Sequence, residues 1–104
     1  MVFELRTYTI KMGGMHDYLT LFETVGLPII SRYAKLVGHW QAASGELNQI
    51  LHLWSYKSLD ERTRQLHALF QDEEWLTAFI PKALALVEKQ ESRLLMPDSF
   101  SPLQ

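Results

Sequence analysis

The sequence predicts one α+β domain: an antiparallel sheet with helices on one face. Three observations lead to it. Period-two alternation marks four strands, helical stripes of apolar residues fill the two longer gaps, and 104 residues with 47% hydrophobic content suit one core. The resulting order is βαββαβ, the ferredoxin-like arrangement.

The first strand is read from Val2 to Ile10, where Phe3, Leu5, Thr7 and Thr9 point one way and Glu4, Arg6 and Tyr8 the other. After the breaker pair Gly13-Gly14 the period changes. Met15, Tyr18, Leu19, Phe22, Val25, Ile29 and Tyr33 then form one helical stripe, which Gly26-Leu27-Pro28 should kink or break. Leu36 to Ser44 and Gln49 to Tyr56 read as a hairpin whose loop leaves the register open by one residue; if Ala43 opposes Asn48, His39 falls opposite His52. Ser58-Leu59-Asp60-Glu61 is a capping box that should start a helix running to about Phe70. Asp72, followed by Glu73 and Glu74, should cap a further helix carrying Trp75 and Phe79 and divided by Pro81. Gln90 to Met96 is the last strand, so residues 1–96 form the core and 97–104 a tail.

Alternation also gives the sheet two faces. Phe3, Leu5, Leu51, Leu53, Leu94 and Met96 are expected under the helices. The other face would carry Glu4, Arg6, Tyr8, Ile50, His52, Trp54, Tyr56, Glu91, Arg93 and Leu95, too aromatic for a solvated surface and too charged for a dry core. A second copy packed over it by a two-fold axis would explain that composition and make a homodimer through the sheet face.

A formal net charge of -2 with both signs scattered gives no footprint for nucleic acid or an anionic membrane surface. The absence of cysteine excludes disulfides and thiolate chemistry and fits a reducing, cytoplasmic setting. The first residues show no basic segment followed by an apolar run, so a soluble, unprocessed protein is expected.

Several of these segments are similar to one known family. Glu4-Leu5-Arg6-Thr7-Tyr8-Thr9, Phe22-Glu23, Gly26-Leu27-Pro28, the run from Leu47 to Arg62, Trp75, Pro81, Gln90 to Leu95 and Phe100-Ser101-Pro102-Leu103 resemble the NIPSNAP family. The run from Leu47 through His52-Leu53-Trp54 to the capping box is the most specific piece. The resemblance implies a dimeric α+β barrel, in a superfamily that includes heme-degrading enzymes and cofactor-independent monooxygenases. It implies no single reaction and no catalytic residue set, and the roles in vesicle traffic and mitochondrial quality control belong to longer eukaryotic members.

The residues to watch are Arg6, Tyr8, His52, Trp54, Glu91 and Arg93, together with Glu4. One reading makes them the lining of a barrel interior, where His52 is a general acid or base, Arg6 or Arg93 holds an anionic group, and Trp54 with Tyr8 bounds a small apolar or aromatic ligand. The other pairs Glu91 and Arg93 with Arg6 and Glu4 to fix register and dimer geometry. A metal held by His39, His52 and Glu91 matches no ligand motif, and no cofactor is expected. His16 and His67 read as surface residues, and the charges around Arg62 as a mixed helix face given mostly to solvation and helix pairing. Two functions stay open: a small-molecule binder or monooxygenase-like enzyme, and a non-catalytic dimeric protein-interaction module with a filled interior.

Overall fold

In the computed structural model, which describes residues 1–104, β1 (Val2–Ile10) and β3 (Gln49–Tyr56) form the centre of a four-stranded sheet. The edges are β2 (Lys35–Gln41) beside β3 and β4 (Val87–Leu95) beside β1, and every pairing is antiparallel. This is the ferredoxin-like order with its helices on one face. The hairpin register follows the Ala43–Asn48 reading: Gln41 pairs with Ile50 and His39 with His52. A bulge between Leu36 and Gly38 then shifts the pairing before Lys35 reaches Ser55.

Three helical stretches cross the sheet: α1 over 15–30, α2 over Leu59–Leu69 and α3 over 75–84. Neither proline divides its helix. In α1 a π turn, Phe22–Gly26, precedes Leu27–Ile30 with Pro28, and in α3 a π turn, Trp75–Phe79, precedes Ile80–Leu84 with Pro81. A proline lacks the N–H for the regular ladder and its ring crowds the carbonyl one turn back; the wider turn absorbs that mismatch, so the helix continues. The two π turns meet each other. A Cβ on Gly26 would lie 2.6 Å from Cε1 of Phe79, so close approach of the helices requires glycine here.

Ser58 caps α2, its Oγ accepting from the Glu61 N–H at 3.1 Å. The returning arm of the box differs from expectation: Glu61 accepts from the N–H of Lys57 rather than of Ser58, at 2.6 Å. Replacing Ser58 by alanine should therefore cost about 1 kcal/mol, the usual worth of a serine N-cap, read as a lowered denaturation midpoint. An unchanged midpoint would show the cap to be energetically idle. Asp72 caps α3 as expected, with Oδ1 accepting from the N–H of Glu74 at 2.9 Å and of Trp75 at 3.3 Å.

The faces are the reverse of the expectation. Buried Trp54, Ile50 and His52 share a core with Tyr18 and Phe22 of α1 and Phe79 of α3, so the helices cover the face that carries Glu4, Arg6 and Tyr8. Leu5, Leu51 and Leu53 lie on the open side. β4 is also one residue out of the expected phase: Arg6 pairs with Ser92 and Tyr8 with Gln90, while Glu91 and Arg93 pair with Thr7 and Leu5. Because side chains alternate, a slip of one residue exchanges the entire strand between faces. Glu91 and Arg93 are thus on the open face, with Leu95, and Leu94 is on the helix side.

Candidate functional site in the sheet–helix cleft

Between the sheet and α2 and α3 lies a cavity of about 130 Å³. Its floor is the sheet, through Glu4, Arg6, Tyr8, His52 and Trp54, and its walls include Leu69, Trp75 and Phe79. Four of the six residues singled out from the sequence, Arg6, Tyr8, His52 and Trp54, therefore come together. Glu91 and Arg93 do not: both are exposed on the other side of the sheet, and Glu91 pairs with Lys89 at 3.0 Å. The expected pairing of Glu91 and Arg93 with Arg6 and Glu4 does not occur across the strands of the chain, and a histidine pair completed by Glu91 of the same chain cannot assemble, because Glu91 faces away from His39 and His52.

Glu4 is the electrostatic centre of the floor. It has no solvent exposure, and both its oxygens are engaged. Arg62 donates from Nε to Oε1 and from Nη2 to Oε2, each at 2.9 Å, Arg6 Nη1 donates to Oε2 at 3.2 Å, and the Ser92 hydroxyl donates to the same oxygen. Burial would push the Glu4 carboxyl up, but the hydrogen bonds from Arg62 and Ser92 and the charges of Arg6 and Arg62 outweigh it and hold the group below its ordinary value. Two guanidiniums around one carboxylate leave the cluster with one excess positive charge. From the sequence, Arg62 belongs to a charged helix face given to solvation and helix pairing. Its spacing held the contrary signal, since residues 62, 66 and 69 form one stripe of α2 and Leu69 on that stripe is buried.

His52 is held as a neutral donor. The Trp54 indole N–H can only donate, and it does so to His52 Nδ1 at 2.6 Å, which leaves the ring proton on Nε2. Burial, with His39 and Arg6 nearby, pushes the His52 pKa down to about 3. The His39 ring stacks on His52 with centroids 5.5 Å apart, and Tyr8 meets His52 edge-on at 4.6 Å. Nε2 of His52 and Nε1 of Trp75 are buried with no hydrogen-bond partner in the chain, and both residues line the cavity; Nε2 of His39 is also without a partner, on a residue that does not line it. Trp75 is not among the site residues expected from the sequence. Buried donors without partners are rare in folded proteins, and two on one cavity distinguish this place from the rest of the core.

The family model for NIPSNAP matches residues 3–102. The chain belongs to the NIPSNAP family. Protein NipSnap homolog 3A of Homo sapiens is 34% identical over 93 residues, which is 88% of this chain and 37% of the human protein. The chain thus spans well under half the length of that curated relative. A NIPSNAP family protein from Agrobacterium tumefaciens has the same fold with a TM-score of 0.95 and 38% identity, covering 99% of this chain and 98% of that one. At the level of fold alone, the likeness extends to SnoaB, a cofactor-independent oxygenase from Streptomyces nogalater, with a TM-score of 0.65 and 18% identity over 97% of this chain and 96% of that one. No helix of this NIPSNAP chain is long and apolar enough to cross a membrane.

Proposed function

We propose that this NIPSNAP chain is a small-molecule-binding protein whose ligand, with an apolar or aromatic body, occupies the cleft between sheet and helices within each subunit. The observation that carries this reading is the pair of buried N–H groups without partners, His52 Nε2 and Trp75 Nε1, on two residues that line an aromatic cavity beside Arg6. A desolvated donor without a partner costs about 1 to 3 kcal/mol, which a ligand oxygen would offset. An interaction module with a filled, fully paired interior would show neither feature. The test is a thermal-shift screen of one- and two-ring aromatic compounds, followed by calorimetric titration of wild type, Arg6→Ala and His52→Ala. Hits are expected to lose at least tenfold in affinity in both variants. Unchanged affinity in both would place the ligand elsewhere.

An oxygenase form of the same reading is supported only by the fold shared with SnoaB. His52, neutral and donating, suits polarisation of a ligand oxygen rather than removal of a proton. Oxygen uptake during the titration with a hit decides between turnover and binding alone.

The homodimer expected from the sequence is proposed on the opposite face from the one first assigned. Leu5, Leu51 and Leu53 are only half-buried there, Trp40 is 54% exposed, and Glu91 and Arg93 place both charge signs on one strand, so a two-fold copy is self-complementary. Light scattering should give twice the 12.1 kDa chain mass, and Leu53→Arg should give a folded monomer. A stable wild-type monomer at micromolar concentration overturns this part of the reading. The cytoplasmic setting stands as part of the same proposal, on the cysteine-free composition.

A further inference from the structure

The hydrogen-bond inventory of the cavity is one-sided, and the asymmetry selects a ligand class. Its donors are free: His52 Nε2 and Trp75 Nε1 have no partner, and the Tyr8 hydroxyl accepts from Arg6 Nε at 3.2 Å, which leaves its own proton to give. Its strong acceptors are taken. Glu4 is engaged on both oxygens, His52 Nδ1 receives the Trp54 indole proton, and the Gln90 carbonyl oxygen receives Arg6 Nη2. The tyrosine hydroxyls of Tyr18 and Tyr56 are the lining oxygens left over, and a hydroxyl turns to donate as readily as to accept. The charges lean the same way, since Arg6 and Arg62 face a single carboxylate.

Resting on the ligand-binding reading above, we propose that the cavity is specific for organic anions: an aromatic body carrying a carboxylate or phenolate oxygen, seated toward Arg6, Tyr8 and His52. An ammonium or alcohol donor finds every strong acceptor occupied, and a bare hydrocarbon leaves the two N–H groups unpaired. Trp54 is a positioning residue in this scheme. By donating to Nδ1 it keeps the His52 proton on Nε2; with phenylalanine at 54 the ring is free to hold the other tautomer and offer an acceptor.

Three matched probes test this on the full chain by calorimetry: 2-naphthoate, 2-naphthylmethylamine at neutral pH and 2-methylnaphthalene. The naphthoate is expected to bind at least tenfold tighter than either of the others. Arg6→Met should remove that preference while methylnaphthalene affinity stays within about threefold, and Trp54→Phe should narrow the naphthoate-to-amine ratio. Ala83→Leu, which fills the cavity wall, and Leu84→Trp, at a residue two-thirds exposed on its rim, should weaken all three probes together. If the amine or the hydrocarbon binds as well as naphthoate, and the wall variants still weaken it, anion specificity is overturned while the cavity remains a ligand site. If no probe binds, or the wall variants leave binding unchanged, both readings fall. Arg6→Met carries the test should Trp54→Phe not fold.

Discussion

Replacing Arg62 by methionine is expected to cost about 3 kcal/mol of stability, because it strips two hydrogen bonds from a carboxylate that has no access to water. Glu4 would keep Arg6 and Ser92, both on one oxygen, while Oε1 would have no donor. In a domain of this size such a loss lowers the melting temperature by about 12 to 24 °C. The converse change is milder. Glu4→Leu leaves Arg6 and Arg62, whose side chains are 24% and 22% exposed and can turn toward solvent, so the double variant Glu4→Leu/Arg62→Met should recover much of what Arg62→Met alone loses. Urea denaturation at fixed protein concentration gives the cycle. A cost below about 1 kcal/mol for Arg62→Met would show that the carboxylate does not depend on it.

That cluster also shows what the sequence could and could not disclose. Strand alternation in β1 and β3 and the serine cap at Ser58 are local, and local chemistry decides them; the hairpin register, which the loop leaves open by one residue, is settled only in the fold, where His39 pairs with His52. Which face the helices cover is not local. Aliphatic Leu5, Leu51 and Leu53 look like the better core, yet the aromatic side is the one the helices cover, because Arg62 arrives from α2 to neutralise Glu4 and makes that face buriable. The charge on β1 was legible and its partner was not, since Arg62 among Asp60, Glu61 and Arg64 resembles any solvated helix face. The phase of β4 is hidden in the sequence for a related reason. It pairs with β1 across more than 80 residues, as Arg6 with Ser92 shows, and no turn links them to fix the register. Glu91 and Arg93 stand out by their charge, whereas Ser92 and Gln90, plain by composition, are the residues that reach Glu4 and Arg6.

The second large effect expected is a loss of stability on mild acidification, and its sign follows from His52. In the unfolded chain the imidazole titrates near its ordinary value of 6.5; in the folded chain burial holds it at about 3. Between those values the unfolded state binds a proton that the folded state refuses, so stability is full above pH 6.5 and falls as the pH drops through the window, by at most about 1.4 kcal/mol per unit for one such group. His39, lowered by burial as well, adds to the slope in the same direction. Glu4 acts with the same sign in a lower window: its folded pKa is depressed, so the stability it contributes is present above its ordinary 4.5 and is lost only below that. The interval from pH 6.5 to 4.5 therefore belongs to the histidines. Denaturation midpoints measured across it should decline steadily in wild type and flatten in His52→Gln, whose amide can still accept from Trp54. His39→Gln should leave the larger part of the decline in place. A wild-type midpoint that is level from pH 7 to 5, or a His52→Gln slope equal to that of wild type, would mean that the imidazole is charged inside the fold, and the neutral, donating His52 on which the cavity chemistry depends would have to be abandoned.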